Sequence, residues 1–282
     1  MARISERILA VYLSYTAVLA LVLPLQKGQT GKVLAANAGV FCAYALFWTL
    51  ARRRPKAQWA TVVRDWMPLA VMILCYHEMG WFAQPHTQFR LENAWVAWDR
   101  RLLYGWGLKP AIELAGPVLP SILELSYLLV YALPVFMMSM IYAYRRLDAA
   151  DIFLTIYILG LCLAYAQFPF WPSEPPRTVF PGRDLPAFIT PIRKLSLWVL
   201  ARQGIHTSVF PSAHVSGAVA AALAARRIFR DKPWLRIGVP VYATLVAFAT
   251  VYGRYHYAAD AVAGAATGFA SCALGLWLLK RA

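Results

Sequence analysis

The chain has 282 residues, 60% of them hydrophobic and 15% charged, with mean hydropathy +0.52. A soluble domain is about 45–50% apolar and about 25% charged, so this composition excludes a disordered chain and an ordinary soluble globule. The absence of a fixed period or a sustained heptad excludes collagen, coiled coils and repeat arrays. The net charge of +15 comes from 28 Lys and Arg against 13 Asp and Glu. These basic residues stand beside apolar runs, as in Arg52-Arg53-Arg54, Arg145-Arg146, Arg226-Arg227 and Lys280-Arg281. They read as cytoplasmic anchors of membrane helices and not as a nucleic-acid surface.

Eight apolar runs follow in chain order, at roughly 8–25, 33–50, 66–81, 120–144, 152–171, 211–225, 235–252 and 260–279. Most approach the length a helix needs to cross a bilayer. Their continuous apolar character, without alternation, selects helices over a barrel. The first run follows Arg3 and Arg7 like a signal peptide, but it is long for one and a second run comes soon after, which predicts an uncleaved span. The third and sixth runs are short and expected to be tilted or partly interfacial. With the N-terminus inside, the inner connections carry 16 Lys and Arg against 12 in outer connections about twice as long. That bias puts both termini in the cytoplasm.

The two long connections, 82–119 and 172–209, then both face outside. The first mixes tryptophan with basic residues in Ala94-Trp95-Val96-Ala97-Trp98-Asp99-Arg100-Arg101, which suits a helix lying in the headgroup layer. The second is rich in proline. Cys42, Cys75, Cys162 and Cys272 all fall within apolar runs and lack a C-x-x-C partner, so they read as small buried hydrophobes without disulfide, zinc or thiol chemistry.

Three polar islands fall at the outer ends of these runs: Pro172-Ser173-Glu174-Pro175-Pro176-Arg177, Phe210-Pro211-Ser212-Ala213-His214, and Tyr252-Gly253-Arg254-Tyr255-His256-Tyr257-Ala258-Ala259-Asp260. His256 and Asp260 are four apart and share a helical face. A carboxylate there keeps one ring nitrogen protonated and leaves the other as a nucleophile. His214 is suited to give a proton to a leaving group. Arg177 and Arg254 match phosphate oxygens in charge and geometry. Pro211-Ser212 at a helix start offers backbone N–H groups and a hydroxyl to an anion. Each residue alone reads more simply as an interfacial or snorkelling side chain. Five of them on one face point to phosphoryl transfer. His77, Glu78 and Glu124, ionisable groups within apolar runs, are open between function and tying helices together; His86 and His206 read as loop residues.

The second and third islands resemble the second and third signatures of the type 2 phosphatidic acid phosphatase superfamily. The Arg254-Tyr255-His256-Tyr257 form, with Pro175-Pro176-Arg177 upstream, is more similar to the inositol phosphorylceramide synthase branch, as is Trp98-Asp99-Arg100-Arg101-Leu102-Leu103-Tyr104-Gly105 with Pro110. The likeness spans about 66–279. It implies an all-α polytopic bundle: a six-helix catalytic domain at 66–282, with 82–119 interfacial, preceded by two additional spans in 1–65. It implies a metal-independent reaction without cofactor in which His256 attacks phosphorus, Asp260 orients it, His214 is the general acid, and Arg177, Ser212 and Arg254 bind phosphate. Two positions depart from the phosphatase pattern. Phe170 stands where a lysine precedes the first-motif arginine, and Gly253 where a serine precedes the third-motif arginine; both favour the synthase-like branch.

The expected activity is therefore a membrane lipid phosphotransferase or phosphatase at the outer face, with a phospholipid or lipid phosphate as donor and water, ceramide or diacylglycerol as acceptor. Its partner is a membrane lipid and not a nucleic acid. A simple phosphatidic acid or isoprenyl diphosphate phosphatase, a non-enzymatic lipid transporter and an inactive scaffold are the alternatives. The paired broken helices of repeated transporter halves are missing from the sequence, and the full His214, His256, Asp260 set argues against a scaffold.

Overall fold

A computed structural model of the chain describes residues 2–53, 58–82, 88–205, 207 and 209–281, and all regular structure among them is helical. In chain order the helices are α1 (Ile4–Val22), α2 (Gln29–Arg53), α3 (Gln58–Phe82), α4 (Arg90–Arg100), α5 (Leu108–Glu113), α6 (Val118–Leu129) and α7 (Leu133–Ala143). They continue as α8 (Ala150–Tyr165), α9 (Pro176–Val179), α10 (Pro191–Gln203), α11 (Ala213–Ile228), α12 (Pro233–Tyr252) and α13 (Ala258–Lys280). The protein is an integral, multi-pass membrane helix bundle. Among the described residues five helices are long and apolar enough to span a bilayer: α1, α2, α8 with its flanking 3₁₀ turns, α12 and α13. The pair α6–α7 makes a sixth if its two bent halves count as one span.

The centre of the bundle is α8, whose mean apolar character runs all round it and which buries 13 of its 16 residues. α1, α3, α11 and α13 pack around it. Close approach there depends on small side chains. The Ser216 hydroxyl donates to the Gly160 carbonyl at 2.8 Å, and a Cβ on Gly160 would come within 3.1 Å of Ala220 and Ser271.

The apolar run at 120–144 reads as one continuous span, but the chain breaks it. α6 and α7 meet at a 74° bend. Pro134 is the physical cause: it has no N–H to give to residue 130, and its ring would collide with that carbonyl in a straight helix. Residues 130–132 instead form turns, with the Ala132 N–H donating to the Leu129 carbonyl at 2.9 Å.

One end of the bundle is tied by ion pairs between α1 and α3 and by hydrogen bonds that bring in α7 and α8. Arg3 pairs with Asp65, which also accepts from the Tyr142 hydroxyl at 2.6 Å. Arg64 pairs with Glu6 at 2.7 Å, and the Ser5 hydroxyl donates to Asp151. The C-terminal turns of α2, α11 and α13, with Arg52-Arg53, Arg226-Arg227 and Lys280, lie toward this end. The other end carries the two long connections, with α4 against α9 and α13, and α10 against α6. Cys75 and Cys162 lie in the main core and Cys272 is half-buried, but Cys42 is exposed on α2, unlike the buried hydrophobe its run suggested.

Candidate active site

The three polar islands meet at the end of the bundle opposite the basic clusters. The local cause is the meeting of α11 and α13 at their N-termini. Ser212 caps α11, its hydroxyl accepting from the Val215 N–H at 3.4 Å. The Ser212 N–H donates to the Asp260 carbonyl at 3.0 Å. The helices touch because α13 offers glycine: a Cβ on Gly264 would stand 2.4 Å from the Ser212 carbonyl oxygen.

Between α12 and α13 the chain turns sharply over 253–257. The Tyr255 and His256 N–H groups both donate to the Thr250 carbonyl at 2.9 Å. Arg254 takes φ 61°, the left-handed region that most side chains avoid. Its fully buried guanidinium donates from Nη1 to Asp99 Oδ2 at 2.6 Å. The other Asp99 oxygen accepts from the Ala258 N–H at 2.8 Å, so one carboxylate fixes both the arginine and the start of α13. Arg254 Nε and Nη2 find no acceptor among the described residues. Arg177 closes on the same turn: its N–H donates to the Arg254 carbonyl at 3.3 Å, and its Nη1 lies 3.5 Å from the Tyr255 carbonyl.

The two histidines face each other, with His214 Nδ1 3.2 Å from His256 Nε2. Chemistry assigns the protons. His256 Nδ1 lies 3.1 Å from the Val209 carbonyl and 3.3 Å from Asp260 Oδ2. Both oxygens only accept, so Nδ1 carries the proton and Nε2 presents a lone pair. Nδ1 of His214 then donates to that lone pair. The remaining nitrogen, His214 Nε2, lies 3.0 Å from the Tyr131 hydroxyl. Burial above all, and then the Arg177 charge, push the His256 ring down to about 3, which keeps it the neutral imidazole. Asp260 also accepts from the Tyr257 N–H at 2.9 Å, so it holds the ring and caps α13 together.

A cavity of about 470 Å³ opens beside His214 between α3, the α6–α7 break, α8 and α10. Leu69, Met72, Leu161 and Tyr165 line it, with His77 and Tyr131 also on its wall. Glu78 is buried beside Thr16 and Asn37, away from this cavity. Glu124 ties helices: it receives Arg193 Nη1 at 2.6 Å and the Tyr255 hydroxyl at 2.5 Å. His86 and His206 lie outside the described residues. Among those described, no three His, Cys, Asp or Glu side chains gather as metal ligands.

Sequence reasoning thus named six residues that the fold gathers at one end, and it missed four partners. Asp99 was visible only within the Trp98-Asp99-Arg100 run. Val209 offers a backbone carbonyl, which no side-chain pattern reveals. Arg193 and Tyr131 carried no signal at all.

This constellation has a counterpart among known proteins. The PAP2 superfamily model matches residues 93–274, more than half of the chain. The chain belongs to the PAP2 superfamily. Its members are in general phosphatases and phosphotransferases, so this is a membrane enzyme of that broad kind. The matched residues begin within α4 and take in His214, His256, Asp260, Arg177, Ser212 and Arg254 with their partners, but not the α3 wall of the cavity. No curated protein and no solved structure matches the chain.

Proposed function

We propose that this PAP2 protein is a lipid phosphotransferase or lipid phosphate phosphatase that works through a phosphohistidine on His256. The 3.2 Å approach of His214 Nδ1 to His256 Nε2 carries the reading. The nucleophile's lone pair and the proton donor face one another in a hydrogen bond that an entering phosphoryl group would displace and take between them. The His256 lone pair attacks phosphorus as the bond to the leaving oxygen breaks. The resting His214 ring is neutral; as the anionic phosphate binds beside it, Nε2 takes a proton from water, and the leaving oxygen then departs with the Nδ1 proton of the charged ring. The unpaired Arg254 nitrogens, Arg177 and the Ser212 hydroxyl hold the phosphate oxygens as charge spreads over them. In the second half an acceptor hydroxyl attacks phosphorus, returns its proton to His214 Nδ1, and releases His256 as neutral imidazole. Donors fixed before substrate arrives can perform this without a metal ion.

The apolar cavity beside His214 favours a substrate with hydrocarbon chains. The acceptor is a lipid hydroxyl, as in the inositol phosphorylceramide synthase-like branch, and the reaction runs at the outer membrane face. The test incubates purified protein with a panel of phospholipids and lipid phosphates, with and without ceramide or diacylglycerol, in EDTA, and identifies products by mass spectrometry. A product in which a phospho-headgroup has moved to the added lipid is expected, lost entirely in His256→Ala. Release of inorganic phosphate alone would assign the simple phosphatase. Activity that requires Mg²⁺ or Zn²⁺, or that survives in His256→Ala, overturns the mechanism.

A further inference from the structure

We propose that Tyr131 is the positioning residue of the general acid: its hydroxyl holds Nε2 of His214 so that Nδ1 faces the phosphoryl group. The inference rests on the reading of His214 as that acid. Three observations carry it.

The first is the proton chain. The Val209 carbonyl forces the proton of His256 onto Nδ1, which makes His214 Nδ1 a donor and His214 Nε2 an acceptor. The hydroxyl at 3.0 Å then donates to Nε2. A hydroxyl also accepts, and this matters in the reaction. A protonated His214 carries hydrogen on both nitrogens. When Nδ1–H leaves with the departing oxygen, the hydrogen on Nε2 stays and needs an acceptor. Tyr131 turns its hydroxyl and supplies one, so the same contact serves the resting ring, the charged ring and the tautomer left after transfer.

The second observation is the surroundings of that nitrogen. The cavity that His214 lines is mostly apolar, with Leu69, Met72 and Leu161 on its wall and Tyr76, His77 and Gln203 among its polar members. A charged imidazole without a partner there would be expensive. Tyr127 packs on the ring at 5.1 Å between centroids and offers bulk, while Tyr131 meets it edge-on at 5.3 Å.

The third is the backbone that delivers the hydroxyl. Tyr131 lies in the break between α6 and α7 that Pro134 imposes. A continuous helix would carry position 131 along its axis; the 74° bend turns it to the mouth of α11. The break thus has a chemical consequence beyond its shape.

Tyr131→Phe is the deciding variant, since it keeps the ring and removes one oxygen. It should lower kcat on a dioctanoyl lipid phosphate about tenfold to a hundredfold, the range of a hydrogen bond to a charged group, with KM little changed. On a p-nitrophenyl phosphoester, whose leaving oxygen needs no proton, the loss should be under about threefold. His214→Ala should follow the same pattern more strongly, and the double variant should be no slower than His214→Ala alone. Equal losses of Tyr131→Phe on both substrates, or no loss on the lipid, overturn the proposal. If His214→Ala itself loses equally on both, the acid assignment falls, and this inference with it. Nitrogen-15 spectra of the histidines read the contact without any substrate. Tyr131→Phe should move the Nε2 resonance of His214, assigned by its disappearance in His214→Ala; an unmoved resonance also overturns it.

Discussion

At the scale of single residues, the site depends on buried charges that hold one another. Asp99 and Arg254 are both inaccessible, 155 positions apart in the chain, and paired at 2.6 Å. Removing one partner of a buried pair leaves a charge without compensation, which costs about 3–5 kcal/mol. Asp99→Ala should lower the thermal stability of the detergent-solubilised protein by that order, and replacing Arg254 with Met as well should recover much of the loss. Equal destabilisation by Asp99→Ala in both backgrounds would show that the pair is not the source. The same turn explains a departure from the family pattern. A Cβ at Gly253 would lie 2.3 Å from the Tyr255 ring, and Tyr255 is held by a stack on Tyr127 at 3.9 Å and by Glu124. Serine does not fit there unless Tyr255 gives way. The other departure, Phe170, is exposed and makes no replacement for a lysine. The histidines, arginines and Asp260 were legible from residue type and spacing. Asp99 was not, because an acidic residue in a tryptophan-rich, basic segment looks like any interfacial side chain until its inward face is known.

At the scale of elements, small residues set how closely α11 and α13 approach, and so how His214 meets His256. Gly264 touches the Ser212 carbonyl, and a Cβ on Gly268 would fall 2.8 Å from that of Ser216. Gly264→Ala must push the start of α11 away, and a displacement near 1 Å at reacting groups costs about a hundredfold. Activity should fall by roughly that factor, while Gly31→Ala on α2, whose Cβ would meet nothing within 4 Å, should leave activity unchanged. Assays of both variants after gel filtration in detergent check this; equal activities would separate helix spacing from catalysis. The break at 130–132 belongs to this scale too. Pro134 was in plain view, yet the surrounding run is apolar throughout, and hydropathy does not register a bend. A proline in a membrane helix marks a kink without giving its size, which here comes from the packing of α6 against α12 and α7 against α11.

At the scale of the whole molecule, the basic clusters and the site stand at opposite ends of the bundle, which supports the proposal of an external site with cytoplasmic termini. In a background without Cys42, Cys75, Cys162 and Cys272, two exposed positions serve as reporters: Ala187→Cys, at the same end of the bundle as the site, and Arg230→Cys, between α11 and α12. An impermeant maleimide should label Ala187→Cys in intact cells and Arg230→Cys only after lysis. The reverse pattern would turn the protein over in the membrane and move the reaction to the cytoplasmic side.

By itself the amino-acid sequence determined a membrane helix bundle and the candidate residues His214, His256, Asp260, Arg177, Ser212 and Arg254, but not the number of spans. Of eight apolar runs, five helices among the described residues, or six with the bent pair, are long and apolar enough to cross a bilayer, and α3 and α11 are not among them. The bundle and the candidates follow from local chemistry: apolar runs mark membrane helices, and a motif keeps its members within a few positions. Only the tertiary structure decided which of them touch, that Asp99 holds Arg254, that Tyr131 reaches His214, and that an apolar cavity opens at their side. Those relations join residues 83 to 155 positions apart. They depend on where glycines let helices meet and where a proline turns one aside, and neither is a property of any segment read alone.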